Sequence, residues 1–115
     1  MLQRLDTGPR MSEAVVHGQT VYLAGQVADD TTLDVAGQTR EVLASIDSLL
    51  ERVGSDKKHI LQATVYLADI ATFKDMNSAW DAWVAQGHTP ARATVEAKLA
   101  APEYRVEIVV VAALA

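Results

Sequence analysis

Residues 60–68 read Ile60-Leu61-Gln62-Ala63-Thr64-Val65-Tyr66-Leu67-Ala68. Leu61, Ala63, Val65 and Leu67 fall on one side of an extended chain, and Gln62, Thr64 and Tyr66 on the other. This is the period-two pattern of a strand with one apolar face. The period then changes. Ile70, Phe73, Met76, Trp80 and Trp83 recur at steps of three and four, with Asp69 as the expected cap of a helix and Gly87 as its expected end. An apolar sheet face followed by an apolar helix stripe is most simply buried by packing one on the other.

The same reading extends outward in both directions. Val42, Ile46, Leu49, Leu50 and Val53 make a second helical stripe, which Asp34 can open and Gly54 can close. Upstream, residues 12–17 and 20–25 are short strands around Gly18-Gln19, a plausible two-residue hairpin turn. Residues 26–33 are polar and acidic and read as a loop. Downstream, residues 91–99 and 104–113 read as two more strands, with Ala100-Ala101-Pro102-Glu103 as the turn between them. The element order is β-β-α-β-α-β-β, with a short extra strand before Gly8. The expected fold is α+β, one domain over residues 1–115, with two helices on one face of a mixed sheet.

A hairpin turning near Ala101-Pro102 sets an expectation for the sheet's two faces. Helices would cover Val95, Ala97 and Leu99 together with Val106, Ile108 and Val110. The opposite face would carry Arg92, Thr94, Glu96, Arg105, Glu107, Val109 and Val111, with Tyr22 and Tyr66 nearby. Such a mixed face fits either a partly polar oligomer interface containing a site or a solvated sheet face with a few exposed valines. In the same register Arg92 stands opposite Val111, about four rungs or roughly 13 Å from Glu107.

Bulk properties narrow the function. Half of the 115 residues are hydrophobic, enough for a core without disulfides or a structural metal. The absence of cysteine excludes a thiol nucleophile and a thiolate metal site. The net charge is −5 and the ten basic residues are scattered, which gives no phosphate-binding track for nucleic acid. The longest apolar run, Ile108 to Ala115, is too short to span a bilayer, and the N-terminus lacks a secretory pattern. The reading is a soluble, cytoplasmic protein. His17, His59 and His88 have no zinc-motif spacing, so no metal is expected.

Two residues stand out chemically. Arg92 follows Pro90-Ala91 at the head of a strand; its guanidinium can grip a carboxylate through two parallel hydrogen bonds, or it is an ordinary surface arginine. Glu107 sits within Tyr104-Arg105-Val106-Glu107-Ile108-Val109-Val110-Val111. A carboxylate in an apolar strand needs a partner, a hydrogen bond or a proton. A partly desolvated carboxyl group can exchange protons near neutrality; the other reading is a sheet-face glutamate paired with Arg105 or Lys98.

An ordered set of segments resembles the Rid (reactive-intermediate deaminase, YjgF) family. The set comprises Gly8-Pro9 with Ser12-Glu13-Ala14-Val15, Ala24-Gly25-Gln26, Gln38, Met76-Asn77, Pro90-Ala91-Arg92 and Val106-Glu107-Ile108, and it spans nearly the whole chain. Its most specific part is Pro-Ala-Arg followed fifteen residues later by Glu. The resemblance implies a chorismate-mutase-like α+β domain assembled as a homotrimer, with ligand clefts between subunits. It implies cofactor-independent hydrolysis of 2-imino acids to 2-keto acids and ammonia. By matching positions, Arg92 would bind the substrate carboxylate and Glu107 would orient or activate water. Gly25, Thr94 and Asn77 would line the pocket.

The chain departs from the family pattern in places. Met11, preceded by Arg10, stands where a tyrosine is common, and both are expected beside the cleft, where Arg10 would either favour a dicarboxylate imine or face solvent without affecting substrate choice. Thr94 replaces a frequent cysteine, and the stretch between Asn77 and Arg92 is about two residues short. A different class of function, a trimer that binds a carboxylate metabolite without turnover, would use the same cleft.

Overall fold

The computed structural model describes residues 2–115. Six strands form one sheet: β1 (Leu2–Leu5), β2 (Ala14–His17), β3 (Thr20–Leu23), β4 (Ile60–Leu67), β5 (Ala91–Glu96) and β6 (Val106–Ala113). Two helices, α1 (Val35–Arg52) and α2 (Phe73–Trp83), cover one face of it. The strand order is β1-β2-β3-β6-β4-β5.

Local signals placed the helices well. The Asp34 carboxylate accepts a hydrogen bond from the Gly37 N–H at 2.9 Å and opens α1. Gly54, at φ +83°, lies just past the helix end in the left-handed region that glycine tolerates. Asp69 caps a 3-10 turn, Ile70–Thr72, which leads directly into α2. That helix ends at Trp83 rather than near Gly87. Lys57 closes it by donating from Nζ to the Trp83 carbonyl at 2.7 Å, a cation at the negative end of the helix dipole. Gly18, at φ +62°, sits in the predicted turn between β2 and β3.

The core lies between the helices and the sheet. Val21, Leu23, Val65, Leu67, Val106, Ile108 and Val110 are buried from the sheet side, and Leu43, Ile46, Leu50, Met76 and Trp80 from the helix side. At roughly 1.5–3 kcal/mol per fully buried large apolar side chain, this layer is the main source of stability. A buried polar anchor crosses it. Gln38 is fully buried; its amide N–H groups donate to the carbonyls of Leu33 and Glu103, and its Oε1 accepts from the Arg105 N–H. One side chain thus ties α1 to the segment that leads into β6.

The C-terminal hairpin expected from the sequence does not form. β5 pairs parallel with β4, with Arg92 level with Ala63, and α2 is the crossover that a parallel pair requires. β6 inserts between β3 and β4, antiparallel to both. The reason is visible in composition. β6 is apolar on both faces and belongs in the middle of the sheet, whereas the more polar β5 belongs on its edge.

The changed pairing reverses the faces of β5. Arg92 and Thr94 are level with Ala63 and Val65, both fully buried beneath the helices. They therefore point toward α2 rather than away from it. Val95, expected to be covered, is level with Tyr66 on the open face and 43% exposed. Arg105 also leaves the expected face and lines a groove with Asp34 and Asp75 at the N-terminal ends of the two helices. Ala97 and Leu99 lie beyond the end of β5. The open face retains Val15, Tyr22, Thr64, Tyr66, Glu107, Val109 and Val111, and Tyr22 is 49% exposed.

Candidate functional site

The site residues named from the sequence fall into two groups. The first lies in the seam between β5 and α2. The Arg92 guanidinium stands 5.0 Å from the Trp80 ring centre and 5.9 Å from that of Phe73. Phe73, Asn77 and Trp80 lie at steps of four and three on α2 and so share a face. Cation–π attraction and packing hold Arg92 in place while its outer N–H groups stay free. Burial pushes its pKa down from the ordinary arginine range, and the nearby Asp81 charge works against that shift. Among the described residues Arg92 has no ion-pair partner.

Two further polar atoms in this seam lack partners. Asn77 Oδ1 and Thr94 Oγ1 are both buried with no hydrogen bond. Leaving such an atom unpaired costs about 1–3 kcal/mol, a cost that a ligand with complementary groups removes. Arg92, Thr94 and Asn77 thus form a polar cluster with open valences. Phe73 and Trp80, which read in the sequence only as part of a core stripe, prove to be its supports. Their signal was the shared helical phase with Asn77.

The second group lies on the open face. Glu107 is level with Tyr66 on β4 and half-buried. After β3 the chain leaves β6 and rejoins it where Gln26 and Ile108 exchange backbone hydrogen bonds at 2.9 and 3.1 Å. One extra residue is accommodated on the β3 side between the Tyr22–Val111 and Gln26–Ile108 pairs, as in a β-bulge. This detour lays Gly25 against the carboxylate. A Cβ at Gly25 would overlap Glu107 Oε2 and stand 2.9 Å from Cδ, so any side chain there must displace the carboxylate from its present position. Glu107 opens into a shallow hollow of about 300 Å³ with Tyr66, Val109, Ala97, Lys98 and Leu99 in its wall. The expected pairing with Arg105 or Lys98 is not made among the described residues.

The two groups do not meet within one chain. Ala63 is level with both Arg92 and Val110, so Glu107 lies three residues along and two strands across from Arg92. At about 3.3 Å per residue and 4.8 Å per strand their backbones are about 14 Å apart. Their side chains also leave opposite faces of the sheet. Met11 and Arg10 are exposed in the β1–β2 loop and do not line the Glu107 hollow of their own chain. Among the described residues no three His, Asp or Glu side chains cluster as metal ligands, and no helix is long and apolar enough to cross a membrane.

This arrangement has close counterparts. The sequence signature of the family described as endoribonuclease L-PSP matches residues 1–114. The RutC family protein YoaB of Escherichia coli is 49% identical over 111 residues, covering 96% of each chain. The chain belongs to the YjgF (endoribonuclease L-PSP) family. A RutC family protein of Haemophilus ducreyi is 46% identical over 114 residues, covering 99% of this chain and 97% of its own. The crystal structure of a YjgF-family member from Neisseria meningitidis superposes with a TM-score of 0.98 at 48% identity, covering 100% of this chain and 96% of that one. The six-stranded sheet with two helices on one face is thus the YjgF fold.

Proposed function

We propose that this YjgF-family protein hydrolyses 2-imino acids to 2-keto acids and ammonia at a site shared between copies of the chain in a trimer. The single observation that carries the reading is the separation of a stacked, unpaired guanidinium from an unpaired carboxylate. In a 2-imino acid the carboxylate carbon is bonded directly to the imine carbon. One substrate cannot span about 14 Å and cross a sheet. A neighbouring chain that covers the open face brings its own Arg92 to this chain's Glu107, and buries Tyr22, Val95, Val109 and Val111 as it does so.

The chemistry needs little more. Arg92 holds the substrate carboxylate through paired hydrogen bonds, the Thr94 hydroxyl donates to its edge, and Asn77 Oδ1 accepts from the imine N–H or the attacking water. Glu107 accepts a proton from water as the water oxygen attacks the imine carbon. The Glu107 carboxyl returns that proton to the imine nitrogen, giving a carbinolamine; its hydroxyl proton then passes by way of the Glu107 carboxylate to the amino nitrogen as the C–N bond breaks, so ammonia leaves and the new carbonyl forms. Holding carboxylate and water in place supplies most of the rate. The family description names an endoribonuclease, but the scattered cations of an acidic chain provide no track for phosphates.

Semicarbazide competition tests the reading. An amino-acid oxidase generates the imine in situ, and the protein should divert it from trapping by semicarbazide toward the free keto acid. Unchanged trapping across several side chains would rule the deaminase out. Binding of keto acids that survives in Glu107→Gln, with no turnover in the wild type, would favour the carboxylate-binding trimer instead.

A further inference from the structure

Among the described residues Lys98 is the one cation in the wall of the Glu107 hollow. It also lines a second hollow of about 340 Å³ with Ala68, Pro102 and Tyr104. Leu99 and Ala100 are common to both, so the two hollows adjoin along residues 98–100. Backbone hydrogen bonds anchor the residue before this segment and close the turn after it. The Ala97 N–H donates to the Leu67 carbonyl at 2.9 Å, and the Tyr104 N–H to that of Ala101 at 3.2 Å. No carboxylate side chain lines the second hollow, and Lys98 has no ion-pair partner among the described residues. A ligand that begins at Glu107 and extends along this trough passes Lys98.

We propose that Lys98 is a specificity-determining residue that receives a second carboxylate, so that the favoured substrates are imines of dicarboxylic amino acids. This rests on the deaminase reading for the reaction but not for the recognition. Arg92 neutralises only the carboxylate next to the imine. A second anion entering an acidic chain beside Glu107 is repelled unless a cation meets it. Lys98 lies in the wall common to both hollows, on the way from the reacting end into the second. The ammonium is a flexible point charge, suited to a distal carboxylate at variable reach.

The test compares 2-oxoglutarate with 2-oxobutanoate by calorimetric titration of the assembled wild type, Lys98→Ala and Lys98→Arg. The imines of glutamate and alanine are compared in parallel by semicarbazide competition. Lys98→Ala should weaken 2-oxoglutarate about fivefold and leave 2-oxobutanoate nearly unchanged, while Lys98→Arg should keep the preference. The kcat/KM ratio of the two imines should move in the same way. Equal losses for both ligands, or no wild-type preference for the dicarboxylate, would overturn the proposal. A Lys98-dependent binding preference without imine hydrolysis would sustain it while removing the deaminase reading.

Discussion

The seam that holds Arg92 and the open face that holds Glu107 solve one problem in opposite ways. In the seam a cation is fixed by what surrounds it, two aromatic rings beneath and unpaired polar atoms beside it. On the open face an anion is given room by what is missing, a side chain at Gly25. Both charges stand without a charged partner among the described residues. Pairing them internally would satisfy each and leave nothing to recognise a substrate. Keeping them apart leaves two half-sites that the proposed trimer would join.

The largest expected effect comes from breaking the seam. Arg92→Ala should lower deamination about a hundredfold or more while far-UV circular dichroism and the denaturation midpoint stay close to wild type. Wild-type turnover by that folded variant would end the assignment. The halves can then be recombined. Mixing inactive Arg92→Ala with inactive Glu107→Ala protein and allowing chains to exchange should restore part of the activity, because some interfaces then carry both intact groups. No recovery in proven mixed oligomers would place both groups of a working site in one chain.

Smaller effects should separate the two regions. Gln38→Ala orphans the Arg105 N–H and the Glu103 carbonyl on the approach to β6, at about 3 kcal/mol of unfolding free energy in urea titration. A loss below about 1 kcal/mol would show that water replaces the buried amide. Gly25→Ala pushes the Glu107 carboxylate aside and should cost about tenfold in kcat/KM with little change in keto-acid binding. A parallel loss of binding would mean that the pocket wall moved as well. Thr94→Val tests the seam most gently: a rise of a few fold in KM, with kcat held, is expected if its hydroxyl meets the substrate carboxylate.

Much of the molecule was legible before any coordinates. The period-two run of β4, the helical stripes, Asp34 and Gly54 mark elements through local physics, the spacing of apolar side chains and the backbone freedom of caps. The ordered motifs around Gly25, Asn77, Arg92 and Glu107 carried the family. Periodicity also divided β5 correctly into Arg92, Thr94 and Glu96 against Ala91, Ala93 and Val95. It did not say which set faces the helices.

That choice belonged to the tertiary structure. A rule that buries apolar side chains would turn Val95 inward and Arg92 outward. The fold does the reverse, because α2 brings β5 back parallel to β4 and offers Arg92 the Phe73 and Trp80 rings. β6 takes the central place because both its faces need cover, which separates it from the strand that precedes it in sequence. Sequence by itself determined which residues travel together on one side of each regular stretch, since that follows from backbone geometry alone; Leu61, grouped by period with Ala63, turns outward where β4 is irregular after Ile60. Only the folded chain decided which elements lie side by side, since that depends on burying every apolar face at once, and with it which charges meet and which are kept apart.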